Sequence, residues 1–225
     1  MKAMNAYKVL EEIKKRKNEI RNNQIPIEKL QGLVKENATE QEIQKLLKDD
    51  LSFLADVFAS PADEYICLPE YMIGDRRVDF LILTSRSRME VCLIEIKGAN
   101  FNMIKSNHYK GMSAHIHTAK SQIDNHIQYI NRNYDLFREK VHKTKEDVIN
   151  GQYKGEFLLG PKGELYVDSE KDIKFRYAII GGREKDEYRD SRARTIYEND
   201  RWEVYSWEAF IRRLDEKHGH YHEII

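Results

Sequence analysis

Two short apolar runs flank a polar turn in the first half of the chain. Val78–Leu83 and Val91–Ile96 are β-branched and aliphatic, whereas Thr84-Ser85-Arg86-Ser87-Arg88 between them is turn chemistry. The pattern predicts a β-hairpin. Ahead of it, Tyr65–Met72 predicts a first strand, and Pro69 places that strand at a sheet edge or a bulge. Beyond it, residues 174–182 (KFRYAIIGG) read as a buried strand closed by two glycines. Residues 202–207 (WEVYSW) read as a last strand running into a helix over 208–217.

Around these strands the period changes to three and four residues. Residues 5–21 carry Tyr7, Leu10, Ile13 and Ile20 on a charged helix, and Pro26 starts a second short helix. Thr39-Glu40-Gln41-Glu42 is a capping box, with Glu42 reaching back to Thr39; the helix it opens is expected to run to Phe58. From Ser113 another helix places Ile116, Ala119, Ile123, Ile127, Ile130 and Tyr134 along one stripe. Residues 135–155 read as a charged helical connection, and 157–167 (FLLGPKGELYV) as a hairpin turning at Gly160–Gly163. The pattern implies an α/β fold, a mixed central sheet flanked by helices. A helical N-terminal extension (1–35) precedes the main domain (36–225).

Composition narrows this picture without changing it. Lys plus Arg and Asp plus Glu both number 38, so net charge leaves no nucleic-acid footprint, and any such contact must come from local basic patches. Lys14-Lys15-Arg16-Lys17, Arg76-Arg77, the loop cations Lys105, His108 and Lys110, and Arg183, Arg189, Arg192 and Arg194 are such patches or solvated surface. No apolar run approaches the length of a membrane span, and the charged N-terminal helix is not a signal peptide. Cys67 and Cys92, both in apolar surroundings, read as reduced core residues of a cytoplasmic protein. His115 and His117 do not share a helix face and make no zinc site, and His218, His220 and His222 belong to a solvated tail. Gly181-Gly182 lacks the spacing of a dinucleotide fingerprint.

Charges inside the apolar hairpin carry the chemistry. Side chains alternate along a strand, so Glu95 and Lys97 share a face. If Leu83 pairs with Val91, Asp79 lies opposite Glu95. Two carboxylates this close repel unless a hard cation lies between them, and Mg²⁺ suits such oxygen ligands, with Mn²⁺ able to substitute. The Ile96 carbonyl is placed to add a ligand, and Lys97 to stabilise charge at a reacting phosphate. A salt bridge on a strand face is the bland alternative for the Glu-x-Lys pair.

The spacing Asp79…Glu95-Ile96-Lys97 resembles the signature of the PD-(D/E)xK nuclease superfamily, although Val78 stands where a Pro is usual. That resemblance implies a restriction-endonuclease-like fold. It also implies an acid on the helix ahead of the sheet, for which Glu42 is the candidate, and a polar residue on the helix after it, for which Gln122 is. A helix cap and a plain surface glutamine are their respective alternatives. The order of EIQKLLKDDLSFL, RVDFLIL, VCLIEIKGAN, SQIDNHIQYI and YAIIGG…WEVYSWEAFIRRL is similar to the nuclease domain of the Shedu antiviral defence family, over about residues 36–215. The resemblance implies metal-dependent DNA cleavage in anti-phage defence by a homo-oligomer, with Asp79, Glu95, Lys97 and Gln122 catalytic and Asp79, Glu95, Ile96 and Glu42 on the metal. A nucleic-acid-binding or assembly module with a vestigial site, and a repair or junction nuclease on the same scaffold, remain alternatives.

Overall fold

The computed structural model describes residues 2–105, 111–185 and 201–219. His108, Lys110, Arg189, Arg192, Arg194, His220 and His222 lie outside them. The helical part before the sheet comprises α1 (Lys2–Asn22), α2 (Ile27–Lys35), α3 (Glu40–Asp49) and α4 (Ser52–Phe58). Strands β1 (Tyr65–Ile73), β2 (Arg76–Thr84) and β3 (Glu90–Ile96) follow, then α5 (Ala114–Arg132) and α6 (Tyr134–Ile149). Next come β4 (Leu158–Leu159), β5 (Lys174–Ile180), β6 (Trp202–Tyr205) and a last helix, α7 (Trp207–Gly219).

The six strands form one sheet in the order β4-β1-β2-β3-β5-β6. The pairings from β4 to β3 are antiparallel and those of β5 with β3 and β6 are parallel, so the sheet is mixed. All seven residues of β3 are buried, as expected of a central strand covered on both faces. One face, through Phe80, Ile82, Ile94 and Ile96, packs on α2, α3, α4 and α7. The other, through Leu81, Leu83, Val91 and Leu93, packs on α5 and α6. Each large side chain buried this way contributes roughly 1.5–3 kcal/mol. The right partner for β3 after β2 is β5, and the long α5–α6 crossover makes that parallel pairing possible.

Two elements depart from the sequence reading. The helix expected from Thr39 to Phe58 breaks at Asp50, whose backbone is extended. Its carboxylate accepts from Ser52 N at 3.0 Å and from Ile25 N at 2.7 Å, restarting the chain as α4 and tying down the α1–α2 linker. The hairpin expected over 157–167 forms its turn (Gly163 N to Gly160 O, 2.9 Å) but not its two arms. Leu158 and Leu159 pair instead with Cys67 and Ile66 of β1, and Val167 bridges to Ser87. The charged helical connection expected over 135–155 forms as α6, which ends at Ile149. Pro69 behaves as expected. It lies where the outer edge of β1 has run past β4, next to Glu70 at φ +49°.

Candidate functional site

The β2–β3 ladder pairs Leu83 with Val91 and continues to Phe80 with Ile94. One step further places Asp79 opposite Glu95. There the ladder gives way, and Ile96 N donates to Asp79 Oδ2 at 2.8 Å. In an extended strand a residue's N–H and C=O leave the same edge, so the Ile96 carbonyl also lies on the Asp79 side. The strands thus part at the point where the charged residues stand.

Helix α3 crosses this end of the sheet with a polar stripe spaced by four residues. Glu40 Oε1 accepts from Lys97 Nζ at 3.1 Å, and Gln44 Nε2 donates to Asp79 Oδ1 at 3.2 Å. Lys48 Nζ meets Glu70 Oε2 at 3.0 Å. One helix face therefore touches β1, β2 and the end of β3 in turn. The backbone makes room for it. A Cβ on Gly98 would lie 2.9 Å from Glu40 N, and one on Gly181 would lie 2.7 Å from Lys97 Cβ. From α7, buried Trp207 donates its Nε1–H to the Lys97 carbonyl at 2.8 Å, fixing the turn out of β3.

On the α5 side, His126 Nε2 lies 3.9 Å from Glu95 Oε1, and the two side chains are 2% and 1% exposed. Neither Glu95 carboxylate oxygen makes a well-formed hydrogen bond; the contacts that come near one are with the Asp79 backbone and carboxyl. Burial first, and the Asp79 charge second, hold the Glu95 carboxyl far above the usual carboxylate range, with Lys97 pulling the other way. Asp79 is raised as well, by burial, against the Ile96 N–H and Lys97. Burial lowers the pKa of His126, which keeps its imidazole neutral. The cluster is short of positive charge, and a cation between the carboxylates would relieve it.

The structure brings together Asp79, Glu95, Lys97 and the Ile96 backbone. It does not bring in Glu42 or Gln122. Glu42 is exposed, and its carboxylate accepts from Thr39 N and Thr39 Oγ1, each at 2.7 Å, as a capping box. That bonding holds its pKa low. The acid that α3 turns to the site is Glu40. Gln122 is exposed, one turn before His126, which is the α5 residue beside the cluster. Glu40, Gln44 and His126 are thus neighbours that the sequence reading missed. Among the described residues no three or more His, Cys, Asp or Glu side chains assemble as a metal site. A metal here would rest on two carboxylates and a backbone carbonyl, a donor set that suits Mg²⁺, which retains waters and takes substrate phosphate as a ligand.

The family model described as Shedu protein SduA, C-terminal, matches residues 37–217. The chain belongs to the Shedu SduA C-terminal family. The match runs from the residues before α3 into α7, so all the cluster residues fall inside the Shedu region. Membership of the Shedu family points to a role in antiviral defence. No curated protein matches the chain. Among the described residues no helix is long and apolar enough to cross a membrane.

Proposed function

We propose that this Shedu-family chain is a metal-dependent DNA endonuclease acting in defence against phage. The observation that carries the reading is the convergence of Asp79, Glu95 and Lys97 where β2 and β3 part, with both Glu95 oxygens buried and unbonded. Asp79, Glu95 and the Ile96 carbonyl would hold Mg²⁺, which when bound supplies a more acidic water and neutralises charge on phosphate.

The rest of the work falls to this chain's own side chains. Gln44 and the Ile96 N–H fix both Asp79 oxygens, so the carboxylate meets substrate in one orientation. Lys97 is 6% exposed, held between Gly181 and Glu40, with its ammonium at the open end of the cluster. Placed beside a reacting phosphodiester, it stabilises the charge that grows on the phosphoryl oxygens. Substrate phosphate competes with Glu40 for this ammonium, so Glu40 parks Lys97 in the resting state. Arg76 and Arg77, exposed at the start of β2, present cations to the flanking backbone of the DNA strand.

Supercoiled plasmid tests the proposal. Nicked or linear product is expected with Mg²⁺ or Mn²⁺, and none with EDTA or with Asp79→Asn. Cleavage that persists in EDTA, or DNA that is bound but left intact in both metals, would overturn it.

A further inference from the structure

Glu95 poses a problem that Asp79 does not. Asp79 has a donor on each oxygen, whereas Glu95 must be ionised to hold a cation and yet is 1% exposed, with no well-formed hydrogen bond and only the loose approach of the Asp79 backbone. Behind it lies buried His126, whose Nε2 faces Glu95 Oε1 at 3.9 Å. The same imidazole meets the Arg77 backbone, two residues ahead of Asp79. One α5 side chain therefore sits against both strands of the hairpin, at the point where they separate.

We infer that His126 is the positioning residue of Glu95: its Nε2–H holds one carboxylate oxygen, directly or through one water, and leaves the other turned to the cation. The inference rests on the metal-dependent reading above. Closing 3.9 Å to a direct hydrogen bond takes a shift of about 1 Å, within reach of a carboxylate rotation. Ligating carboxylates are themselves held by hydrogen bonds, and removing such a support costs about 10–100-fold in metal affinity. His126 also falls on the buried stripe of α5 with Ile123 and Ile130, so packing fixes its direction.

Calorimetric titration of Mn²⁺ into the full chain, without DNA, tests this. His126→Ala is expected to weaken Mn²⁺ binding about 10–100-fold. His126→Gln, which keeps an N–H near the position of Nε2, is expected to stay within a few-fold of wild type. Equal affinity in wild type and His126→Ala would overturn the role of His126 while leaving the metal reading standing. If the Ala variant does not fold, the Gln variant decides: near-wild-type affinity supports the inference, and a loss matching that of Glu95→Gln overturns it. Absence of Mn²⁺ binding by the wild type would remove the metal reading, and the role of His126 with it.

Discussion

Replacing Lys97 with Ala is expected to lower the single-turnover rate of DNA cleavage by about a hundred- to a thousandfold, the usual cost of removing a donor that acts on developing charge. The chain should still fold. Glu40, the hydrogen-bond partner left behind, is 41% exposed and returns to water, while the buried Asp79 and Glu95 carboxyls lose the cation that favours their charged forms and take up protons more readily. The lost packing of the lysine stem is worth about 1–2 kcal/mol, a few degrees of melting temperature for a chain of this size. Lys97→Arg should not rescue activity. The Cβ of residue 97 already lies 2.7 Å from where a Cβ on Gly181 would be, and the bulkier planar guanidinium must share that space with Glu40. Stopped cleavage reactions beside thermal melts separate the two effects. Full activity in a folded Lys97→Ala variant would take away the catalytic role of the lysine.

Glu95→Gln is expected to do the opposite to stability while also ending activity. Burial and the neighbouring Asp79 raise the folded-state pKa of Glu95 above its unfolded value. The folded protein therefore binds more protons at this site than the unfolded chain does. Stability is highest below the ordinary carboxylate pKa and falls as pH rises from there through the raised folded-state value. Gln removes that fall. At neutral pH and without metal, Glu95→Gln should melt several degrees above wild type, on the order of 1–3 kcal/mol. At acid pH, where Glu95 is protonated in both states, the difference should vanish. Added Mg²⁺ should raise the melting temperature of the wild type and leave that of the variant alone. A variant less stable than the metal-free wild type at neutral pH, or a gap independent of pH, would contradict this.

The hairpin was legible in the sequence because every signal there agreed. The turn residues, the β-branched arms and the alternation of faces all pointed to a hairpin, and the register assumed for it holds, since Leu83 does pair with Val91. The mixed sheet and its flanking helices followed from strands that alternate with helical periods. The site's outer members were harder to place, although signals for them existed. Thr39 as N-cap makes Glu42 the residue that reaches back, which leaves Glu40 and Gln44, four apart, to share the face beside buried Ile43 and Leu47. His126 lies three residues after Ile123 in the apolar stripe, where a polar residue must face the sheet, whereas Gln122 lies outside that stripe.

The segment 157–167 shows why the rest was not legible. Its turn chemistry was read correctly, but its arms had a choice of partners that local sequence does not rank. The open edge of β1 captured Leu158 and Leu159, and Gly160 N donates to Tyr65 O at 2.8 Å. The break at Asp50 is similar, since the carboxylate that ends α3 does so partly by bonding Ile25, 25 residues earlier in the chain.

The most direct measurement is anomalous diffraction from crystals grown with millimolar Mn²⁺. A single Mn²⁺ peak is expected between the Asp79 and Glu95 carboxylates, on the side of the Ile96 carbonyl. Well-ordered crystals with no density at that point, and with both Glu95 oxygens still unliganded, would contradict it.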